Sequence, residues 1–305
     1  MKGPSHLGSS LAARLPAFRE RARAAASVGR VGLDFGLATL NHALGGARGM
    51  GLLGGVAGAR KTTLLQQLGW QIVQANKDAF FAHFSFEMPP QAIDAYSIAF
   101  LAGVEKRVVE HELFESVGYA AQRELFADAV ERCGRLGHTF GIPEAKTVAE
   151  VAQRIEEVRE KLKIERGFVA IDSIHALASL TGRAARSERG ALDNVLNDLR
   201  ELTDATGVAM LCSAQLTKRG AEREADFHFA LSASADYTPD YTATLETERE
   251  RITGRRASSR LLSASFNLHK NRFGREAISI PLRYRPDRTC FEEDPSKART
   301  DDDET

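Results

Sequence analysis

The ten residues from Gly54 to Thr63 read GGVAGARKTT. They follow the pattern G-x-x-x-x-G-K-[ST] of a phosphate-binding loop with one departure, because Arg60 stands where the pattern has its second glycine, directly before Lys61. In such a loop, successive backbone N–H groups point into one concavity, and the following helix adds the positive end of its dipole. The stretch therefore predicts a strand, a loop and a helix in that order, with an arginine at a position that normally favours glycine.

Each position of this loop has an expected role. Backbone or side-chain contact with a nucleotide is expected at Gly55, Val56, Ala57, Gly58, Ala59, Arg60, Lys61, Thr62 and Thr63. Lys61 is expected to reach the β and γ phosphates, and the Thr62 hydroxyl is expected to bind Mg²⁺. A Cβ at position 60 costs on the order of 1–3 kcal/mol if the backbone there needs unusual angles. The alternative is a glycine-rich turn that carries an incidental Lys-Thr pair.

The segments around the loop alternate between apolar strand patterns and amphipathic helix patterns. Strand patterns stand at residues 50–55, 79–87, 138–142, 167–172 and 208–215. Helix patterns stand at residues 61–76, 89–104, 106–115, 119–136, 147–162 and 191–207, and a polar loop is expected at 179–190. This alternation predicts an α/β fold with a central, mostly parallel twisted sheet flanked by helices. Two β-rich stretches, 241–248 and 260–284, predict hairpin strands at the C-terminal end.

The composition is that of a globular protein of 305 residues, 43% of them hydrophobic. Lys+Arg and Asp+Glu both count 41, so any affinity for nucleic acid must come from local basic patches. Cys133, Cys212 and Cys290 are isolated in the sequence, which indicates neither a zinc site nor a disulfide framework and predicts a cytoplasmic location. No apolar run approaches the roughly 18 residues of a membrane span.

Two acids stand at the ends of predicted strands. Asp172 closes the segment FVAID, and Glu87 lies in the segment FSFEM. Phosphoryl transfer needs a carboxylate in the Mg²⁺ shell and a group that orients or deprotonates the attacking water. Asp172 is the candidate for the first task, together with Thr62, and Glu87 is the candidate for the second. Taken alone, an acid at a strand end is more often a helix cap or a turn residue.

The segment HFSFEMPPQAI resembles the FSLEM segment of DnaB-type replicative helicases, and LLGGVAGARKTTLLQQ is similar to their loop and to that of RecA-like relatives. The resemblance covers roughly residues 33–292 and implies a RecA-like P-loop ATPase core that binds ATP and Mg²⁺, with Glu87 activating water. LCSAQLTKRG resembles the SQL segment of this family, which implies that Gln215 senses the γ-phosphate. HKNRFG is similar to a K-x-R motif of DnaB-type and RadA-type proteins, which implies that Lys270 and Arg272 reach a neighbouring subunit's γ-phosphate.

The same resemblance implies a helicase-type ATPase that assembles into a homo-oligomeric ring, such as a hexamer, and moves on or remodels single-stranded DNA. Replication or mobile-element proteins are its expected partners. Contact with DNA is expected from basic loop residues, namely Arg183, Arg186, Arg189, Lys218 and Arg219. We expect a basic helical arm over residues 1–30, the ATPase domain over 31–292 and an acidic disordered tail over 293–305.

Two alternatives stay open. One is an ATP-binding regulator or loader with weak or no hydrolysis, for which Arg60 is the mark in the sequence. The other is a RadA-like or KaiC-like ATPase of recombination or signalling. DNA-stimulated ATP turnover separates a motor from a regulator, and strand separation distinguishes a helicase from a recombination factor.

Overall fold

A computed structural model describes residues 11–110, 120–135, 139–141, 145–181, 187–216, 234–248, 261–294 and 296. Its helices are α1 (Leu11–Val28), α2 (Ala38–Leu44), α3 (Lys61–Ala75), α4 (Pro90–Ala102), α5 (Lys106–Glu110), α6 (Ala120–Arg135), α7 (Val148–Leu162), α8 (Ile174–Thr181), α9 (Glu188–Thr206) and α10 (Ser234–Tyr237). Its strands are β1 (Met50–Gly55), β2 (Ala79–Ser85), β3 (Thr139–Gly141), β4 (Arg166–Asp172), β5 (Ala209–Gln215), β6 (Tyr241–Thr247), β7 (Leu262–Asn271), β8 (Ile278–Arg285) and β9 (Cys290–Glu293). None of the helices in these ranges has the length and apolarity needed to cross a membrane.

The strands of the described ranges form one sheet in the order β3-β2-β4-β5-β1-β6-β7-β8-β9. Neighbours from β3 to β6 are parallel, and β6, β7, β8 and β9 pair antiparallel. The predicted fold class is therefore confirmed, including the antiparallel strands at the C-terminal end. Because parallel strands end at the same edge of a sheet, the residues that follow β1, β2, β4 and β5 meet along one edge.

Apolar clusters cover both faces of the sheet. Leu64, Leu65 and Leu68 of α3 belong to the cluster on one face. The cluster on the other face includes apolar residues of α7 and α9, among them Ile155 and Leu199. Burial on both faces explains why the parallel strands read as nearly continuous apolar runs and not as alternating patterns.

Helix α3 lies close to the sheet because Gly69 leaves room for an aromatic ring. A Cβ built at Gly69 would overlap the ring of Phe81 on β2. The absence of a side chain at this point lets the helix axis approach the strand. The approach fixes the first turn of α3 at the edge where the parallel strands end.

Several described elements differ from the sequence expectations. Helices α2, α8 and α10 and strand β9 have no counterpart among the predicted segments. The loop expected at 179–190 overlaps two helices, because residues 179–181 form the last turn of α8, in which Leu177 and Ala178 are buried, and α9 begins at Glu188. Strand β9 ends at Glu293, the first residue of the expected tail, where its Oε1 accepts hydrogen bonds from the backbone N and the hydroxyl of Thr39, both at 2.6 Å.

Candidate nucleotide-binding site

The loop between β1 and α3 uses left-handed backbone conformations at two positions. Gly58 has φ 83°, and a Cβ built there would meet no atom within 4 Å, so open space adjoins the loop. Arg60 has φ 67° and ψ 32° and directly precedes α3. This is the region in which glycine is favoured, and an L side chain in it costs roughly 1–2 kcal/mol. Arg60 therefore holds the backbone shape of the missing glycine at an energetic cost.

The side chain of Lys61, the first residue of α3, folds back into the loop. Its Nζ donates to the carbonyl oxygens of Gly55 at 2.8 Å and Val56 at 3.4 Å. Burial lowers the pKa of this ammonium, whereas the charges of Asp172 and Glu87 act in the opposite direction. The lysine is thus close enough to both acids to interact with them electrostatically.

Asp172, at the end of β4, is bound by hydroxyl groups from two other elements. Thr62 Oγ1 donates to Asp172 Oδ2 at 2.5 Å, and Ser213 Oγ of β5 donates to Oδ1. The residue is 4% exposed, and the peptide bond that joins it to Ser173 is cis. Hydroxyl and carboxylate oxygens are the ligand types that Mg²⁺ prefers, so the Thr62 and Asp172 pair fits a magnesium site.

Glu87 is held beside Asp172 by Ser173, the residue that follows Asp172 in the chain. The Ser173 hydroxyl donates to Glu87 Oε1, and the amide of Phe86 donates to the carbonyl oxygen of Asp172 at 2.8 Å. Glu87 itself is exposed, in contrast to the buried Asp172. The two acids therefore share one edge, with one enclosed and one open to solvent. The roles of Ser173 and Ser213 were missed in the sequence, although both stand at the ends of strands that point to this edge.

A chain of hydrogen bonds joins Ser97 of α4, Gln66 of α3 and His83 of β2. Ser97 Oγ donates to Gln66 Oε1 at 2.9 Å, which leaves the amide nitrogen of Gln66 to donate to His83 Nδ1 at 2.5 Å. Burial lowers the pKa of His83 to about 4, against the opposing charge of Asp172. The imidazole is therefore neutral near pH 7, with its proton on Nε2.

His175, in the first turn of α8, links the site to β5. Its Nδ1 accepts a hydrogen bond from the backbone N–H of Gln215 at 3.4 Å. Burial is the main cause of its lowered pKa; Glu188 and Glu87 raise the pKa, and Lys61 lowers it further. Gln215 pairs in register with Gly55, so both lie next to the loop. His175 was missed in the sequence, where its only signal is its place three residues after Asp172.

Lys270 and Arg272 are not brought to the loop of their own chain. Lys270 Nζ donates to the carbonyl oxygens of Tyr237 and Pro239 at 3.0 and 2.7 Å, and Arg272 Nη2 donates to Tyr237 O at 2.8 Å. The amide of Arg272 pairs with Asp240, whose own amide pairs with Met50 at the start of β1. The loop follows the other end of this six-residue strand, about 17 Å away.

Asp240 organises this opposite edge. Its carboxylate forms an ion pair with Arg200, whose Nη1 lies 2.6 Å from Oδ1, and it accepts hydrogen bonds from Arg272 Nη1 at 3.4 Å and from the Met50 amide at 2.9 Å. Burial alone would raise the pKa of Asp240, but these hydrogen bonds and charges lower it below its usual value. Arg272 is thus attached to a fixed, ionised carboxylate.

Of the five expected DNA-binding residues, Arg189 is described. It is exposed in the first turn of α9. Arg183, Arg186, Lys218 and Arg219 lie outside the described residues.

Contacts that the sequence did not reveal attach the loop to the C-terminal strands. The Arg60 guanidinium carbon lies 4.2 Å from the ring centroid of Tyr284 on β8, and Arg60 Nη1 lies 3.4 Å from the Tyr284 hydroxyl. The Thr247 hydroxyl at the end of β6 donates to the carbonyl oxygen of Ala59 at 3.2 Å. Arg60 therefore turns toward an aromatic ring.

No family model and no curated protein matches this sequence. Many solved structures share its fold, and three of them illustrate the match. The first, the ATPase domain of a helicase, is 14% identical, with a TM-score of 0.76 over 94% of this chain and 99% of that one. A DnaB-like replicative helicase, described with its interactions with primase, is 14% identical with a TM-score of 0.71. That match covers 86% of this chain and 63% of the helicase chain.

The KaiC-like protein PH0186 from Pyrococcus horikoshii OT3 is 15% identical, with a TM-score of 0.56 over 86% of this chain and 98% of that one. Together with the strand order and the loop between β1 and α3, these matches confirm the expected fold. The chain has the RecA-like fold that these helicase ATPase domains share.

Proposed function

We propose that this protein is a P-loop ATPase of the DnaB type that binds Mg·ATP at residues 54–63 and uses hydrolysis to act on single-stranded DNA. The observation that carries the proposal is the meeting of Lys61, Thr62, Asp172 and Glu87 at the edge where the parallel strands end. The fold matches support the ATPase part. The DNA-acting part rests on the sequence resemblance and on the helicase matches.

Each residue then has a defined task. The loop amides and the N-terminus of α3 bind the phosphates, and Lys61 exchanges its carbonyl partners for phosphate oxygens. Thr62 and Asp172 would hold Mg²⁺, which would neutralise charge on the phosphates. Glu87 accepts a proton from the attacking water while Ser173 fixes its orientation.

Two further residues relay the state of the site. Gln215 is the last residue of β5 and pairs in register with Gly55, which supports a role as sensor of the γ-phosphate. Its backbone N–H donates to His175 on α8, the helix after which the basic residues Arg183 and Arg186 follow in the sequence. We infer that changes at the phosphate pass along this path to DNA-contacting residues.

The test measures ATP hydrolysis by the purified protein with and without single-stranded DNA, together with calorimetric ATP binding. Lys61→Ala should lower nucleotide affinity sharply, because it removes the cation for the β and γ phosphates. Wild-type turnover that rises with single-stranded DNA supports a motor. ATP binding with negligible turnover would instead favour the regulator, and unchanged binding by Lys61→Ala would contradict the proposed site.

A further inference from the structure

Arg60 combines two features, one of its backbone and one of its side chain. Its backbone occupies the left-handed region, which glycine adopts more easily, and its guanidinium carbon lies 4.2 Å from the ring centroid of Tyr284. The first feature is unfavourable for an arginine. The second is a cation–π contact, which is favourable and strengthens when it is shielded from water.

Tyr284 is a fixed platform for this contact. It is 3% exposed, its ring lies 5.0 Å from that of Phe291, and its backbone pairs with Leu262 and Phe291 on the two neighbouring strands. The ring is therefore held by the sheet, and Arg60 is the partner whose position depends on the contact.

The first half of α3 is attached to the same strands at a second point. The side chain of Gln67, seven residues after Arg60, donates to the carbonyl oxygen of Phe291 at 2.8 Å and accepts from its amide at 2.6 Å. Gln67 therefore attaches this part of α3 to β9, the strand beside β8. With the Thr247 contact to Ala59, the loop and its helix are bound to the C-terminal strands on both sides of Arg60.

We propose that Tyr284 is a positioning residue for the phosphate loop, which stabilises the left-handed conformation of Arg60 by holding its guanidinium. Arg60 then contributes its backbone to the loop, and its side chain serves as an anchor and not as a phosphate ligand. This proposal rests on the proposed function, because it treats residues 54–63 as the ATP site.

The test is a double-mutant cycle read by the dissociation constant of Mg·ATP. Tyr284→Leu should weaken binding roughly 2- to 30-fold when Arg60 is present, which is the range expected for loss of a cation–π contact. Tyr284→Phe keeps the ring and loses only the 3.4 Å contact of the hydroxyl with Arg60 Nη1, so it should weaken binding less than Tyr284→Leu. In the Arg60→Gly background, Tyr284→Leu should change the dissociation constant no further, because glycine needs no anchor. If Tyr284→Leu weakened ATP binding equally with Arg60 and with Gly at position 60, Tyr284 would have only a general structural role, and the proposal would be overturned.

Tyr96→Leu is the matched control. The Lys106 ammonium lies 4.5 Å from the ring centroid of Tyr96 on α4. Tyr96→Leu therefore removes a similar cation–π contact at a place away from the loop. Its ATP affinity should equal that of wild type.

A second variant decides the matter if Tyr284→Leu does not fold. Arg60→Gln keeps the Cβ in the left-handed region but loses the guanidinium, so it should bind ATP roughly tenfold more weakly than Arg60→Gly. If Arg60 were a phosphate ligand, both variants would lose affinity alike, and that result would overturn the proposal.

Hydrogen exchange without nucleotide separates the two proposals. Amides of residues 56–62 should exchange faster in Tyr284→Leu, and in Arg60→Gln, than in wild type. If wild type binds no ATP, the proposed function fails, and this exchange still tests the anchor. Unchanged exchange in both variants would overturn the role of Tyr284, whatever the protein binds.

Discussion

Glu87 and Asp172 are both acids at strand ends, but their surroundings suit them to different tasks. Asp172 is buried and accepts two hydroxyl hydrogen bonds, which fixes both of its oxygens. Glu87 is exposed and accepts one hydroxyl bond, from Ser173, at Oε1. Its Oε2 can therefore receive a proton from water, which is the property that a general base needs.

Replacement of Glu87 tests this division. Glu87→Gln should bind ATP like wild type, because the amide keeps the size of the side chain, and should hydrolyse it roughly 10²–10⁴-fold more slowly, because the amide is not a base. Single-turnover hydrolysis measures the rate, and calorimetry measures the affinity. Glu157→Gln, which changes an exposed acid on α7, is the control and should be normal. Normal hydrolysis by Glu87→Gln would contradict the assignment.

His83 makes the stability of the protein depend on pH. Burial lowers its pKa to about 4 in the folded protein, whereas the ordinary value is 6.5. Between pH 4 and pH 6.5 the histidine is therefore protonated in the unfolded chain and neutral in the folded protein. The stabilisation is complete above pH 6.5 and is lost as the pH falls toward 4. The loss amounts to about 3 kcal/mol of the free energy of unfolding.

Denaturant unfolding between pH 7 and pH 4 measures this dependence. His83→Asn keeps an acceptor for Gln66 and cannot be protonated, so its stability should fall less steeply over this range. Identical pH profiles for the two proteins would show that His83 is not the responsible group.

At the scale of elements, the loop is positioned by the helix that follows it. α3 carries Lys61 and Thr62 in its first turn, and it packs on β2 at Gly69 against the ring of Phe81. Any change that lifts α3 from the sheet must also move these two residues relative to Asp172, which β4 holds in place.

Gly69→Ala should therefore reduce both stability and ATP affinity. The added methyl group overlaps the Phe81 ring, and overpacking of this kind costs typically about 1–3 kcal/mol. Denaturant unfolding and calorimetric ATP titration measure the two effects. Gly190→Ala on α9 is the matched control, because its Cβ would meet only the flexible Ser187 Oγ at 3.3 Å. Equal behaviour of the two variants would mean that α3 is not held by this approach.

At the scale of the whole molecule, the residues proposed for catalysis lie at opposite edges of one sheet. Lys61, Thr62, Asp172 and Glu87 lie where the parallel strands end. Lys270 and Arg272 lie at the start of β1, attached to the 237–240 turn. If Lys270 and Arg272 act on the γ-phosphate, as we propose, they must reach the loop of a second copy, and head-to-tail contacts of this kind form a ring when the rotation closes.

Mixing of variants tests assembly of the site between subunits. Arg272→Ala and Glu87→Gln should each be nearly inactive, but their mixture should recover part of the ATPase activity, because some interfaces then combine an intact Glu87 with an intact Arg272. Steady-state hydrolysis measures the recovery. A mixture of Lys61→Ala and Glu87→Gln is the control and should recover none, because both defects lie at the same edge. A fully active monomeric wild type would contradict this arrangement.

Local patterns in the sequence determined the parallel core, the loop between β1 and α3, and the acids at the ends of β2 and β4. These features depend on apolar periodicity and on the residue types that follow each strand, which neighbouring residues specify. Short elements such as α2 and β9 escaped prediction, because tertiary packing and strand pairing stabilise them more than their own sequence does.

Only the tertiary structure decided which distant residues complete the site. Ser213 reaches Asp172 across 41 positions, and Tyr284 reaches Arg60 across 224, because the sheet order places β5 beside β4 and brings β8 to the loop. No local pattern encodes such pairs. The sequence therefore indicated that position 60 needs a glycine-like backbone. Only the fold brought the Tyr284 ring to Arg60, because that contact depends on the order of the strands in the sheet.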